Sequence, residues 1–217
     1  MAAEADIART AALIADETRA TILDALVDGR ALPPSQLAAA AGVSRPTVSE
    51  HLSKMLDAGL LAVERGGRNR YYRLASGEVA EALEALAVIS PAREVRSLKQ
   101  ATRADSLAAA RTCYGHLAGR LGVEITDALT TSGALTRAGD RFEVTDPSPL
   151  RELGVETHLH AKPCNDWSER RPHVAGPLGV ALAKRLFALG WIERLPQPRA
   201  VRLTPAGRDG LHSALGI

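Results

Sequence analysis

Apolar residues recur near helical spacing from Ile7 to Leu26 (Ile7, Ala11, Leu13, Ile14, Ile22, Leu23 and Leu26), with a break around "ADET" that predicts two helices meeting there. "DGRALPPS" interrupts the pattern, and its Pro-Pro-Ser leads into a helix over Gln36 to Ala41. Gly42 stands where a helix ends most easily in a left-handed residue. Ser44 then offers a capping oxygen ahead of Arg45 and Pro46, a proline whose missing N–H costs nothing in a first helical turn. In the helix that follows, Val48, Leu52, Met55 and Leu56 fall at i, i+4, i+7 and i+8, one apolar stripe for a core. Gly59 closes it, and "LLAVERGGRNRYYRLA" predicts two strands folding back around Gly66 and Gly67.

The stripe leaves a second face without a packing duty. Pro46, Ser49, Glu50 and Ser53 point away from it, with Arg45, Thr47 and Lys54 beside them, and the hairpin tip carries Arg65, Arg68, Asn69 and Arg70. Helix, tight turn, helix and basic hairpin in that order describe a winged helix-turn-helix, whose second helix enters the DNA major groove while the wing grips phosphates. Residues 45–73 hold six Lys/Arg against three Asp/Glu, while the rest of the first ninety residues is acidic, so the positive charge is local to this surface. Arg45, Thr47, Ser49, Glu50 and Ser53 are the candidates for base edges, Glu50 as an acceptor for a cytosine amino group. Lys54, Arg65, Arg68 and Arg70, with Asn69 at the tip, are the candidates for the backbone.

From "LIADETRATILDALVDG" through "LAAAAGVSRPTVSEHLSKMLDAGLL" to the arginine-rich hairpin, residues 7 to 89 resemble the ArsR-type transcriptional repressors. The resemblance implies a homodimer joined through the first helix and the helix after the wing, "GEVAEALEALAVIS", bound to double-stranded DNA at an inverted-repeat operator. That family often senses metals through a cysteine pair near the start of its helix-turn-helix or through Asp and His residues after the wing. The corresponding stretches here, "GRALPPSQLA" and "GEVAEALEALAVIS", contain neither Cys nor His, so an effector has to be detected elsewhere.

The remainder predicts a helical linker over 91–110 and a further domain over 111–217. Stretches beginning at Leu56, Leu129 and Leu186 share one order: an apolar helix end, a glycine, a strand, a polar turn, a strand and a new helix start. This predicts winged-helix-like units in the C-terminal half, the last with Leu178, Leu182, Leu186 and Leu189 as its stripe and a new helix at Pro205 behind a capping Thr204. The fold expected is mainly α with small β-hairpins: a DNA-binding and dimerisation domain over 1–90, the linker, and a winged-helix-like sensor domain.

Chemistry-bearing residues gather in that second half. "RTCYGHLAG" sets Cys113 and His116 three apart, read as one helix face, and "PCNDWSERRPHVAG" supplies Cys164, Asp166 and His173. Thiolate and imidazole are the usual ligands of borderline and soft ions, so these five residues are candidates for a bound metal or metalloid ion. Packed small thiols and core histidines are the plain alternative. These patterns also resemble extended ArsR-type regulators with Cys-x-x-His and Cys-x-Asp-Trp motifs, from which Gly115 departs where an acidic residue would offer another ligand. Glu169, Arg170 and Arg171 read as a solvated face beside a packed tryptophan, and His158 and His160 as loop histidines.

Composition narrows the classes. With 217 residues, 46% hydrophobic, the chain has enough for real cores. Its net charge of +2 alone does not mark a nucleic-acid binder, and 3% aromatics leave little for stacking single-stranded bases. Two cysteines are too few for a disulfide framework. No apolar run spans a membrane, and "MAAEADIART" lacks the basic start of a secretory signal, so the expected compartment is the cytoplasm. There is no phosphate loop, Gly-x-Ser-x-Gly or His-Glu-x-x-His, so an enzyme has no starting point here. The reading is a dimeric repressor released by an effector (a metal, metalloid, thiol oxidant or small molecule), with a ligand-independent architectural DNA-binding protein as the alternative.

Overall fold

Asp16 sets the break between the first two helices. Its side chain accepts a hydrogen bond from the Arg19 N–H at 2.9 Å and so caps α2 (Glu17–Leu26) just after α1 (Ile7–Ile14) ends. Arg19 reaches back, donating from Nε to the Leu13 carbonyl at 2.6 Å and from Nη2 to that of Ala12 at 3.0 Å. These are carbonyls that a helix end leaves without an internal partner. The computed structural model describes residues 4–217, which fall into one compact unit ending at Leu83 and another spanning Glu84–Ile217.

In the first unit α3 (Pro34–Ala41) ends at Gly42, whose φ of +67° closes the helix left-handed. The Ser44 hydroxyl accepts from the Thr47 N–H at 3.3 Å and starts α4 (Arg45–Asp57). Val48, Leu52 and Met55 are buried on α4, as are Ile22, Leu23 and Leu26 on α2 and Leu37 on α3, the two helices that α4 packs on. Strands β1 (Leu61–Gly66) and β2 (Asn69–Leu74) pair antiparallel from Leu61↔Leu74 to Gly66↔Asn69. Leu32 exchanges two backbone hydrogen bonds with Tyr72, both at 2.8 Å, anchoring the wing's base to the stretch before α3. These elements follow the sequence expectation closely.

The division into units falls inside α5 (Gly77–Ile89), earlier than the expected boundary at residue 90. Glu84, the first residue of the second unit, is buried and ion-pairs with the buried Arg199 inside that unit. Nor do residues 91–110 stand apart as a linker: α6 (Leu98–Ala109) belongs to the second unit and buries Leu107 there.

The second unit is built twice over. β3 (Arg111–Cys113), β4 (His116–Ala118), α7 (Arg120–Thr131), β5 (Leu135–Ala138), β6 (Arg141–Val144) and α8 (Ser148–Glu152) form the first copy. β7 (Lys162–Asn165), β8 (Pro172–Ala175), α9 (Gly176–Ala188), β9 (Ile192–Arg194), β10 (Val201–Leu203) and α10 (Pro205–Leu215) repeat the order. Positions 57 residues apart correspond: His116 and His173, Gly119 and Gly176, Gly122 and Gly179, Leu129 and Leu186, Gly133 and Gly190. Among the described residues every sheet is a two-stranded hairpin.

The copies interlock, β4 packing on α9 and β8 on α7, and their apolar residues fuse into one core that includes Leu121, Ile125, Leu129, Leu178, Leu182 and Leu186. The helix, hairpin and further helix expected for a winged-helix-like unit occur in both copies, with Ile192↔Leu203 closing the last hairpin. The sequence did not announce the extra hairpin that opens each copy.

Trp191 fixes α10 in place. A Cβ on Gly207 would lie 2.0 Å from the Trp191 carbonyl oxygen, and one on Gly210 2.2 Å from its indole ring. Gly207→Ala therefore forces α10 off its seat, and thermal unfolding should show a loss of about 1–3 kcal/mol; an unshifted melting temperature would contradict this packing.

Candidate DNA interface and buried Cys-His cluster

All ten residues proposed for DNA lie at the surface: Arg45, Thr47, Ser49, Glu50, Ser53 and Lys54 along α4, and Arg65, Arg68, Asn69 and Arg70 on the wing. Some are already engaged locally. Ser49 donates from its hydroxyl to the Arg45 carbonyl at 2.9 Å, the Ser44 and Thr47 hydroxyls are 2.8 Å apart, and Glu50 pairs with Lys54 one turn on at 2.6 Å. That pairing holds the Glu50 carboxyl below its ordinary range.

The wing turns through Gly67 (φ +61°) and Arg68, a two-residue loop with glycine at its first position. Arg65 and Arg70 are directly opposed across the two strands, and like charges so placed destabilise a hairpin. Among the described residues no carboxylate pairs with Arg65, Arg68 or Arg70. Arg73, at the wing's base, is instead paired with Glu64 at 2.5 Å.

The second site forms where the two copies interlock. Cys113 and His116 face each other across β3–β4, and Cys164 and His173 across β7–β8. Cys113 and His116 therefore do not share a helix face, as their spacing suggested. The turn between them has positive φ at Tyr114 (+45°) and Gly115 (+90°), the backbone of a type I′ hairpin, which explains the glycine at 115.

One ligand atom from each of Cys113, His116, Cys164 and His173 lies within 4.8 Å of all the others, and the Nε2 atoms of the two histidines are 3.1 Å apart. Cys113, His116 and His173 are buried, and Cys164 is half-buried. Glycines allow the close approach. A Cβ on Gly179 would sit 3.1 Å from the Cβ of His116, and one on Gly122 would sit 3.8 Å from that of His173.

Asp166 stands outside this group, a correction to its reading as a ligand, because both of its oxygens are committed. Oδ1 accepts from the Ser168 N–H at 2.9 Å, the Ser168 hydroxyl at 2.6 Å and the Glu169 N–H at 3.1 Å. Oδ2 accepts from Arg111 at 3.0 Å and the Gly119 N–H at 2.6 Å, and lies 3.4 Å from His173 Nδ1. Burial raises the Asp166 carboxyl, but the Arg111 charge and these donors outweigh it and hold the group at about 2. Asp166 is thus the partner behind His173.

Arg111, fully buried, was not anticipated. Its guanidinium also bonds Ser168 and the Leu107 carbonyl and lies 4.2 Å from the centre of the Trp167 ring. The available signals were an arginine inside the apolar "LAAARTCY" and the Asp-Trp-Ser turn. Within the cluster, the hydrogen bond between the thiols favours the Cys164 thiolate, helped by both histidines, and the same bond together with burial pushes Cys113 up. Burial pulls His116 below its ordinary value, which keeps its imidazole neutral.

The other candidates are peripheral. His158 and His160 are exposed. Arg171 reaches from the second copy to Asp127 on α7 at 2.7 Å, at the rim of a shallow cleft of about 370 Å³ lined by Thr126, Leu135 and Phe142.

Comparison with known proteins finds sequence matches to the first unit and, for one relative, to nearly the whole chain. Residues 14–64 match the family model described as a helix-turn-helix domain. The "Uncharacterized HTH-type transcriptional regulator YdfF" of Bacillus subtilis (strain 168) is 40% identical over 221 residues, covering 98% of this chain and 98% of its own. The HTH-type transcriptional regulator CmtR of Mycobacterium tuberculosis (strain H37Rv) is 44% identical over 80 residues, 37% of this chain and 67% of its own. Among solved structures, the NMR structure of the cadmium metal-sensor CMTR from Mycobacterium tuberculosis is 40% identical, with 42% of this chain and 94% of that one covered and a TM-score of 0.35. Reduced HlyU from Vibrio cholerae N16961 is 28% identical over 36% of this chain and 82% of that one, with a TM-score of 0.34.

Replacing Arg111 by Met would leave the Asp166 carboxylate buried without its charge partner. Urea denaturation should show a loss of about 3–5 kcal/mol, and a change within error of zero would mean that the pair is not buried as described.

Proposed function

This chain belongs to the ArsR-type helix-turn-helix transcriptional regulators, and from that premise we propose that it is a homodimeric repressor that binds an inverted-repeat operator and releases it when its C-terminal unit binds an effector. The observation that carries the DNA contacts is the uncompensated wing. Arg65 opposes Arg70 with Arg68 at the tip, a concentration of like charge that phosphates relieve. Beside it α4 offers Arg45, Thr47, Ser49, Glu50 and Ser53 to base edges, while Lys54, the wing arginines and Asn69 hold the backbone. The Glu50–Lys54 pair is solvent-exposed and opens readily, freeing Glu50 for a cytosine amino group and Lys54 for a phosphate.

Dimerisation is supported by apolar surface that each helix leaves uncovered. α1 buries none of its residues, and Ile7 is 76% exposed. On α5, Ile89 is 78% exposed and Leu86 41%. A second copy covering such helices removes that surface from water and presents two recognition helices, one to each half-site.

Effector control rests on the second unit because both cysteines and the buried histidine pair lie there. Release requires the effector to bind the DNA-free form more tightly than the DNA-bound form, since equal affinity shifts nothing. Among the described residues no helix is long and apolar enough to cross a membrane.

Titrating an operator fragment at several salt concentrations tests the wing. Arg68→Ala should weaken binding to every sequence and reduce the slope of log affinity against log salt by about one unit, whereas Ser49→Ala should relax preference at one base position at a cost of about 1–3 kcal/mol. An Arg68→Ala protein with unchanged affinity and slope would remove the wing from the interface.

A further inference from the structure

We propose that Cys113, His116, Cys164 and His173 hold one divalent ion of the zinc class in a closed tetrahedral site that joins the two copies of the C-terminal unit, with Asp166 as the positioning residue for His173. This deepens the effector reading above, and it depends on that reading only for what the ion does at the operator.

Geometry comes first. Metal–sulfur bonds of about 2.3 Å and metal–nitrogen bonds of about 2.0–2.1 Å put the corners of a tetrahedron about 3.3–3.8 Å apart. The two Nε2 atoms, at 3.1 Å, already stand near that spacing, and all four ligand atoms lie within 4.8 Å of one another. Each Cys-His pair is cross-strand on its own hairpin, so the backbone holds the two ligands of a pair side by side. One pair comes from each copy, and an ion between them closes a link that no peptide bond makes.

Chemistry selects the ion. Two sulfurs and two imidazoles are borderline-to-soft donors, which suit zinc, cobalt or cadmium and not magnesium or calcium. Two thiolates cancel the charge of a divalent ion, so a buried site ends neutral, without the penalty of an unpaired interior charge. Four protein ligands leave no open position, the mark of a binding or structural site and not a hydrolytic one.

The surroundings fit the same occupant. His173 Nδ1 is buried with no hydrogen bond of ordinary geometry, and the nearest acceptor is Asp166 Oδ2 at 3.4 Å. A proton on Nδ1 directed at that carboxylate leaves the Nε2 lone pair free for a metal, the arrangement that orients ligating histidines. Arg111, Ser168 and the Gly119 N–H in turn fix the carboxylate. Packing alone gives no reason for four ligand atoms to converge inside a core, where polar atoms facing one another with too few hydrogens are destabilising.

The test uses the full-length protein purified under reductant without chelator. Elemental analysis should find about one zinc-class ion per chain. After removal of that ion, cobalt(II) should give the strong visible absorption of a tetrahedral thiolate site, saturating at one equivalent, and zinc should abolish it. Magnesium should not compete. Cys164→Ser should lose the cobalt spectrum, and because that variant is open to misfolding, the titration of the unaltered protein stands as the deciding measurement.

Protein without bound ion and without a tetrahedral cobalt spectrum overturns the proposal, as does a native protein whose two thiols are found joined as a disulfide. Operator binding measured in parallel separates the two readings. Ion binding that leaves operator affinity unchanged supports the site and overturns its use as the effector switch, whereas operator binding by a protein that takes up no ion overturns the site alone.

Discussion

The burial of Val48, Leu52 and Met55 is the constraint from which the DNA-binding surface follows. Each is at most 1% exposed, so α4 has no freedom to roll about its axis without exposing three large side chains. Truncating any one of them to alanine in such a core typically costs about 2–5 kcal/mol, comparable with much of a small domain's stability. With the inner face fixed, Arg45, Thr47, Ser49, Glu50 and Ser53 are held outward whether or not DNA is present. The Ser44 cap and the left-handed Gly42 define where that face begins, and the Leu32–Tyr72 backbone pairing holds the wing to the same unit. Recognition then needs little rearrangement within the unit, which limits the entropy lost on binding.

The C-terminal unit uses the same local grammar of helix, glycine, hairpin and helix for a different purpose. In the first unit the hairpin is a solvent-exposed arm carrying arginines. In the second, each copy begins with a hairpin whose strand packs on the other copy's helix, so that Gly122 and Gly179 bring the histidines together. Arg111 in the first copy and Asp166 in the second reinforce that interlocking with a buried ion pair. A buried pair of this kind stabilises little compared with an apolar replacement, but it specifies one arrangement, since any slip leaves a charge unpaired in the core. The cluster of two cysteines and two histidines is therefore a product of the duplication, two ligands from each half.

Much of the first unit was legible because its signals are local. The "ADET" break, Gly42 and Ser44 followed by Pro46 act within a few residues and appear in the structure where the pattern placed them, while the wing turns one residue later than the glycine pair suggested, at Gly67-Arg68. The helix-and-hairpin repeats of the second unit were legible for the same reason. What the sequence hid was non-local. The strands β3 and β4 are three residues each, and "LAAARTCYGHLAG" reads as easily as a helix, so Cys113 and His116 were assigned to one helix face when a type I′ turn opposes them. Asp166 has the right chemistry for a ligand, and only its five committed hydrogen bonds show it to be the support behind His173. The role of Arg111 depends on partners more than fifty residues away, which no spacing rule could find. The division into units falls inside α5, where Glu84 bonds a residue 115 positions later in the chain.

The most direct test of the central claim, that α4 and the wing are shaped to read a duplex as one half of a symmetric pair, is a hydroxyl-radical footprint of the full-length protein on its own promoter DNA. The account predicts two protected patches related by a two-fold axis, with centres about one helical turn, 10–10.5 base pairs, or a multiple of it apart. Even protection along any duplex, independent of sequence and without a symmetric pair of patches, would contradict it and point to an architectural DNA-binding protein.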